Sequence, residues 1–138
     1  RLFPGLANWP PDQAASQAAQ QSQCWVLRKG ARTVIASPDG MVRQVLQSEA
    51  RAARAGLGDV LSGYAAGLGA MGLAAGLDPT GDRFDELLAL AALAHASAGI
   101  RQSQAGEGAA SPLAIAQMLQ KVQDAGNFEQ AESNLIRD

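Results

Sequence analysis

Gly56-Leu57-Gly58-Asp59 is the stretch whose residue types and spacing could do chemistry. Glycines at the start of a helix let main-chain N–H groups point at a ligand, and the helix N-terminus carries about half a positive charge. Phosphate is the natural occupant of such a turn. A carboxylate in that turn, Asp59, suits a base that deprotonates an attacking hydroxyl, and it could help hold Mg²⁺ indirectly. The same residues also read more plainly: Gly56 and Gly58 shape a tight turn and Asp59 caps the helix. Lys29-Gly30 is the second candidate. A lysine in a glycine bend between two strands can reach a nucleotide phosphate as a flexible point charge, or it can simply be a solvated turn lysine. His95 lies on an apolar helix face, where a satisfied packing histidine is the simpler reading than a general base. Trp9 and Trp25 read as packing residues, and Cys24 as a small buried hydrophobe. Asp82, Asp85 and Glu86 read as acids favoured by the positive end of a helix.

These residues need elements to position them. Arg1 to Pro11 is loop-like, and Pro11 in the first turn of Asp12 to Gln23 predicts an Ala/Gln surface helix. Cys24 to Leu27 and Thr33 to Ala36 predict two strands bent at Gly30. Ser37-Pro38-Asp39-Gly40 is a turn signal, and Met41 to Leu46 alternates as a third strand. Between Asp59 and Asp78 lie 18 residues without a charge, long enough to span a membrane. Five of them are glycine, a poor hydrocarbon face, so a buried helix from Asp59 to Leu73 is expected instead. Its small-residue face (Ser62, Gly63, Ala66, Gly67, Ala70) would let another backbone approach closely. A helix capped by Asp82 runs to about Gln104, with Phe84, Leu87, Leu88, Ala91, His95 and Ala98 on one face. Ala105 to Ala110 is a loop. Ser111-Pro112 caps a last helix, Leu113 to Gln123, followed by a polar tail over 124–138. Strands that cluster and give way to helices point to α+β, or to one slice of an α/β sandwich. The slice is preferred.

Composition narrows the class. The chain has 138 residues and net charge −2, without the basic field that nucleic acid demands. One cysteine excludes an internal disulfide and a cysteine-based zinc site, and suits a reducing cytoplasmic setting. With one histidine besides, metal ligands reduce to carboxylates, which favour Mg²⁺. The hydrophobic fraction of 47% includes 29 alanines. The core is therefore thin for the length. Stability is expected to need missing segments or a partner, and a homo-oligomer is anticipated. Arg1 in place of a methionine suggests a fragment.

Taken together, LRKGARTVIASPDG (Leu27 to Gly40) and GLGDVLSGYAAGL (Gly56 to Leu68) resemble the C-terminal part of the ADP/ATP-dependent NAD(P)H-hydrate dehydratases. RLFPGL at the start and GEGAASPLAIAQML near the end are similar to that family's flanks, so the resemblance spans about Arg1 to Gln120. It implies an α/β fold, a fragment of a ribokinase-like three-layer sandwich with short strands followed by buried helices, over residues 1–123. It implies nucleotide-dependent dehydration of hydrated NADH or NADPH, with ADP or ATP and Mg²⁺ as cofactors. The small-molecule substrate and the adenine nucleotide are the partners, with no nucleic acid and no membrane. In that resemblance Lys29, Gly30, Ala31, Arg32 and Thr33 match the segment that contacts the nucleotide. Gly58, within the turn opened by Gly56, matches a nucleotide-contacting glycine, and Asp59 matches the substrate-contacting acid taken as base. Leu57 stands where the family commonly has threonine, and Pro112 where it has aspartate. Much of the substrate pocket would then lie before Arg1, leaving the fragment inactive alone. A ribokinase-like vitamin-precursor kinase and a non-catalytic helical interaction piece are the alternatives.

Overall fold

The computed structural model describes residues 2–47, 55–81, 83–104 and 111–124. Asp82 as a cap, Ser48 to Arg54, the loop Ala105 to Ala110 and the tail beyond Asp124 lie outside them, as does Arg1. After a 3-10 turn at Pro4–Leu6, the order is α1 (Pro11–Ser22), β1 (Val26–Arg28), β2 (Thr33–Ala36), β3 (Val42–Val45), α2 (Leu57–Ala74), α3 (Arg83–Gln104) and α4 (Pro112–Asp124). The mixed α/β architecture and element order agree with the sandwich fragment expected from the sequence.

The three strands form an antiparallel sheet in the order β1-β2-β3. Register pairs Leu27 with Ile35 and Ile35 with Arg43 on one face, and Val26 with Ala36 and Ala36 with Val42 on the other. Side chains alternate across a strand, so each face takes a different partner. Val34 and Ala36 meet Ala15 and Ala19 of α1. Ile35 and Val45 meet Ala89 and Ala92 of α3. β2 is therefore buried along its whole length. Alanine dominates both contacts, which lets helix and strand approach closely without large side chains.

α2 and α4 pack outside α3, through clusters that join Leu57, Ala94, Ala98, Ile115 and Leu119, and Leu61, Leu68 and Ala91. Where α2 crosses α3 the leucine tips close over Gly72. A Cβ on Gly72 would lie 2.5 Å from Leu87 Cδ1 and 3.1 Å from Leu77 Cδ1.

Several local expectations shift. The buried helix proves half-exposed. Its Leu57, Leu61, Leu68, Gly69 and Gly72 face is covered, whereas Ser62, Gly63, Ala66, Gly67 and Ala70 face away from every described element. The first strand begins two residues later than the apolar run, because Gln23 adopts a left-handed conformation (φ 53°) at the end of α1. Cys24 thus falls in the connecting turn and is exposed, not buried. Trp9 is 44% exposed. Trp25 does pack, 6.2 Å from the Phe84 ring, and its Nε1–H donates to the Pro79 carbonyl at 2.7 Å.

Candidate functional site

Gly56 adopts φ +84° at the N-cap of α2, a conformation that glycine accepts at little cost. Among the described residues no side chain caps this helix start. The first helical bond runs from the Val60 N–H to the Gly56 carbonyl at 3.1 Å. The N–H groups of the first turn have no intrahelical acceptor, which is what an anion needs. Gly58 and Asp59 are both exposed, and no atom lies within 4 Å of a Cβ built on Gly58. Among the described residues, then, no neighbouring side chain sequesters Asp59.

Two anchors hold the turn from behind. Leu57 is fully buried against Ala94, Ala98, Ile115 and Leu119. Burying a leucine contributes about 2 kcal/mol, so this side chain pins the first turn to α3 and α4 rather than facing a ligand. Pro112, first residue of α4, abuts Gly56, and a Cβ there would approach its Cγ to 3.1 Å. Ser111 caps α4 as its sequence predicts, its Oγ accepting from the Ala114 N–H at 3.1 Å. The starts of two helices thus meet at Gly56.

Lys29, Gly30, Ala31 and Arg32 form the exposed loop between β1 and β2, whereas Thr33 is buried in β2. The loop bends tightly, since a Cβ on Gly30 would come 3.1 Å from the Arg32 carbonyl oxygen. His95 is buried on α3. The residue is 5% exposed. Burial pushes its pKa below the ordinary value, the Lys29 charge pushes it further down, and a hydrogen bond with the Leu57 backbone partly offsets both. His95 is buried as expected, but not satisfied. Its Nε2 has no hydrogen-bond partner among the described residues.

Asp85 is the residue that sequence reading missed. It reads as an ordinary acid at a helix start, yet it is 1% exposed. Arg43 Nε lies 2.5 Å from its Oδ2, an ion pair not aligned well enough to be a hydrogen bond. The available signal is strand alternation, which places Arg43 on the α3-facing side with Ile35 and so demands a counter-charge. The pair ties β3 to α3 on the side of the sheet that carries the glycine turn.

A separate cleft of about 620 Å³ lies between the 3-10 turn, α1 and β1, lined by Leu2, Phe3, Leu6, Trp25, Val26 and Arg28 among others. It opens on the opposite face of the sheet, the face covered by α1. Among the described residues no group of three His, Cys, Asp or Glu side chains could hold a metal ion. No described helix is long and apolar enough to cross a membrane.

A small antiparallel sheet with helices on both faces, followed by a helix that opens on a glycine turn, fits part of a ribokinase-like α/β domain. The family model described as NAD(P)H-hydrate dehydratase matches residues 7–121, and the chain belongs to that family. Its curated relatives include the bifunctional NAD(P)H-hydrate repair enzyme Nnr of Synechocystis, 41% identical over 106 residues that cover 75% of this chain and 18% of that protein. Nnr of Gloeobacter violaceus is 48% identical over 63 residues, covering 46% of this chain and 12% of that protein. Nnr of Moorella thermoacetica is 41% identical over 87 residues, covering 63% and 15%. The chain thus spans less than a fifth of the length of these relatives. No solved structure matches the chain significantly.

Proposed function

We propose that this chain carries the nucleotide-phosphate site of an ADP- or ATP-dependent NAD(P)H-hydrate dehydratase. The observation that supports it most is the glycine turn at Gly56, with exposed Gly58 and Asp59, braced from behind by buried Leu57 and by Pro112. In this reading the terminal phosphates lie over the first-turn amides of α2. Lys29, Gly30, Ala31 and Arg32 contact the nucleotide from the hairpin, with Thr33 contributing through its backbone. Positive helix end and lysine together offset the phosphate charge.

Asp59 takes the proton of the hydrate's hydroxyl as that oxygen attacks the terminal phosphorus. The bond from phosphorus to the bridging oxygen breaks and the shortened nucleotide leaves. The ring C–O bond of the resulting ester then breaks, inorganic phosphate leaves, and loss of a proton from the neighbouring ring carbon restores the ring double bond. Mg²⁺ would travel with the nucleotide, held mainly by phosphate oxygens. The described residues do not fit a dedicated metal cluster, so no step is assigned to it. The free thiol of Cys24 fits a reducing, cytoplasmic setting.

The test uses the polypeptide that carries this chain. Hydrated NADH is supplied with ADP or ATP, and recovery of reduced-nicotinamide absorbance is followed. Nucleotide-dependent recovery, lost in Asp59→Asn, is the expected result. Stable phosphorylation of an alcohol without recovery would replace this reading with a small-molecule kinase. Absence of nucleotide binding would end both.

A further inference from the structure

We propose that the cleft beside β1 is a docking groove for an extended segment of the polypeptide that carries this chain. The segment adds to the free edge of β1 as a fourth strand and sets a carboxylate on Arg28. The inference is independent of the nucleotide site. β2 is the middle strand, so β1 and β3 each have one strand partner among the described residues. The two edges differ in kind. β3 exposes Val42, Arg43 and Gln44, and charged or polar side chains suit an edge left open to water. Trp25, Val26 and Leu27 carry no charge and are half-buried. Every second N–H and C=O of an edge strand points away from its one partner, a ready template for another strand.

The cleft follows that edge. Its lining takes Trp25, Val26, Leu27 and Arg28 in succession. Val26 packs towards α1, with Ala15 and Val34, whereas Trp25 and Leu27 pack towards α3, with Ile35 and Ala89. Side chains of both sheet faces line one cleft only where it passes the strand's edge. An added strand would lie about 4.8 Å from β1, with Leu2, Phe3 and Leu6 as an apolar wall beside it.

Arg28 names the chemistry the segment must bring. Its Nη1 is buried and has no hydrogen-bond partner among the described residues. The guanidinium is always charged, and a carboxylate matches its planar fork. Asp85, the buried acid, is paired with Arg43 on the other face of the sheet. A small free anion could meet Arg28 but would leave the strand edge and the apolar wall unused. An extended segment engages all three, its main chain giving affinity and its alternate side chains specificity. Connectivity favours a segment of the same polypeptide. α1 lies against β1 and β2 and leads directly into β1, as the helix of a strand–helix–strand crossover does. A strand joined ahead of Leu2 would thus fall parallel to β1. The chain spans less than a fifth of the length of its Nnr relatives, which leaves ample chain for a strand of about five residues.

Amide hydrogen exchange, read by mass spectrometry, is compared for the 138-residue chain and for the polypeptide that carries it. In the chain alone β1 should exchange roughly tenfold or more faster than β2, and in the longer polypeptide within about threefold of it. An unchanged ratio of β1 to β2 exchange overturns the inference. Protection of β1 in the 138-residue chain that rises with protein concentration also overturns it, and gives the edge to a second copy. In the longer polypeptide Arg28→Glu sets like charges together and should restore fast exchange at β1, with Arg28→Lys close to wild type. Indifference of β1 to Arg28→Glu refutes the carboxylate partner. Should Arg28→Glu fail to fold, Arg28→Gln removes the charge and takes its place. None of these outcomes bears on nucleotide binding, which ADP titration reads separately.

Discussion

Two glycines share the same positive φ and differ in surroundings, which makes the claim about the turn quantitative. Gly56 has φ +84° and Gly76 φ +85°. A Cβ on Gly76 meets nothing within 4 Å, whereas one on Gly56 would lie 3.1 Å from Pro112 Cγ and 3.6 Å from Pro112 Cβ. Alanine at either place incurs the left-handed penalty of about 1–2 kcal/mol. It also stiffens the unfolded chain by a similar amount at both, which cancels in the comparison. Only Gly56→Ala must also displace the Pro112 ring, an overpacking cost of about 1 kcal/mol or more. Urea unfolding should therefore show Gly56→Ala less stable than Gly76→Ala by about that difference. Pro112→Ala should remove the excess in a double-mutant cycle. Nucleotide affinity should fall in Gly56→Ala and hold in Gly76→Ala. Equal destabilisation of the two variants, with equal nucleotide affinity, would refute the idea that α4 braces the turn.

Other outcomes follow from the same geometry. Lys29→Ala should weaken ADP or ATP binding by about 1–3 kcal/mol, the range for a charge-assisted hydrogen bond, as read by calorimetry. Asp59→Asn should abolish turnover in the polypeptide that carries the chain while leaving nucleotide affinity within a few fold, since the acid is assigned to the substrate hydroxyl. Breaking the buried ion pair from the exposed side, Arg43→Ala, leaves Asp85 uncompensated and should cost about 3–5 kcal/mol in urea unfolding. The pH dependence of stability has a defined sign. Burial and Lys29 hold the native His95 pKa below the ordinary value of about 6.5, so the unfolded chain binds a proton first. Stability is full above that pH, declines as pH falls through it, and levels once the native ring is protonated. The decline should vanish in His95→Asn. Acid loss from Asp78, held below the usual carboxylate range by Thr80 hydrogen bonds, begins only at lower pH.

Local chemistry made much of the fold legible. Pro11 and Ser111-Pro112 marked two helix starts, and Thr33 to Ala36 matched β2 residue for residue. Gly56 announced the turn because a left-handed N-cap admits few other residues. Long-range pairing was not legible. That Leu57 turns inward and that Asp85 is buried beneath Arg43 both depend on how the elements pack. No sequence window contains that packing. The burial of α2 was overread because an uncharged run reports what a helix tolerates, not what covers it.

The most direct measurement is an ADP titration of the ¹⁵N-labelled chain, followed by amide spectra. Saturable shifts should centre on Gly58, Asp59 and Val60, with a second set at Lys29 to Arg32. Shifts confined to Leu2, Phe3, Val26 and Arg28, on the α1 face of the sheet, would contradict the account, as would spectra that ADP leaves unchanged.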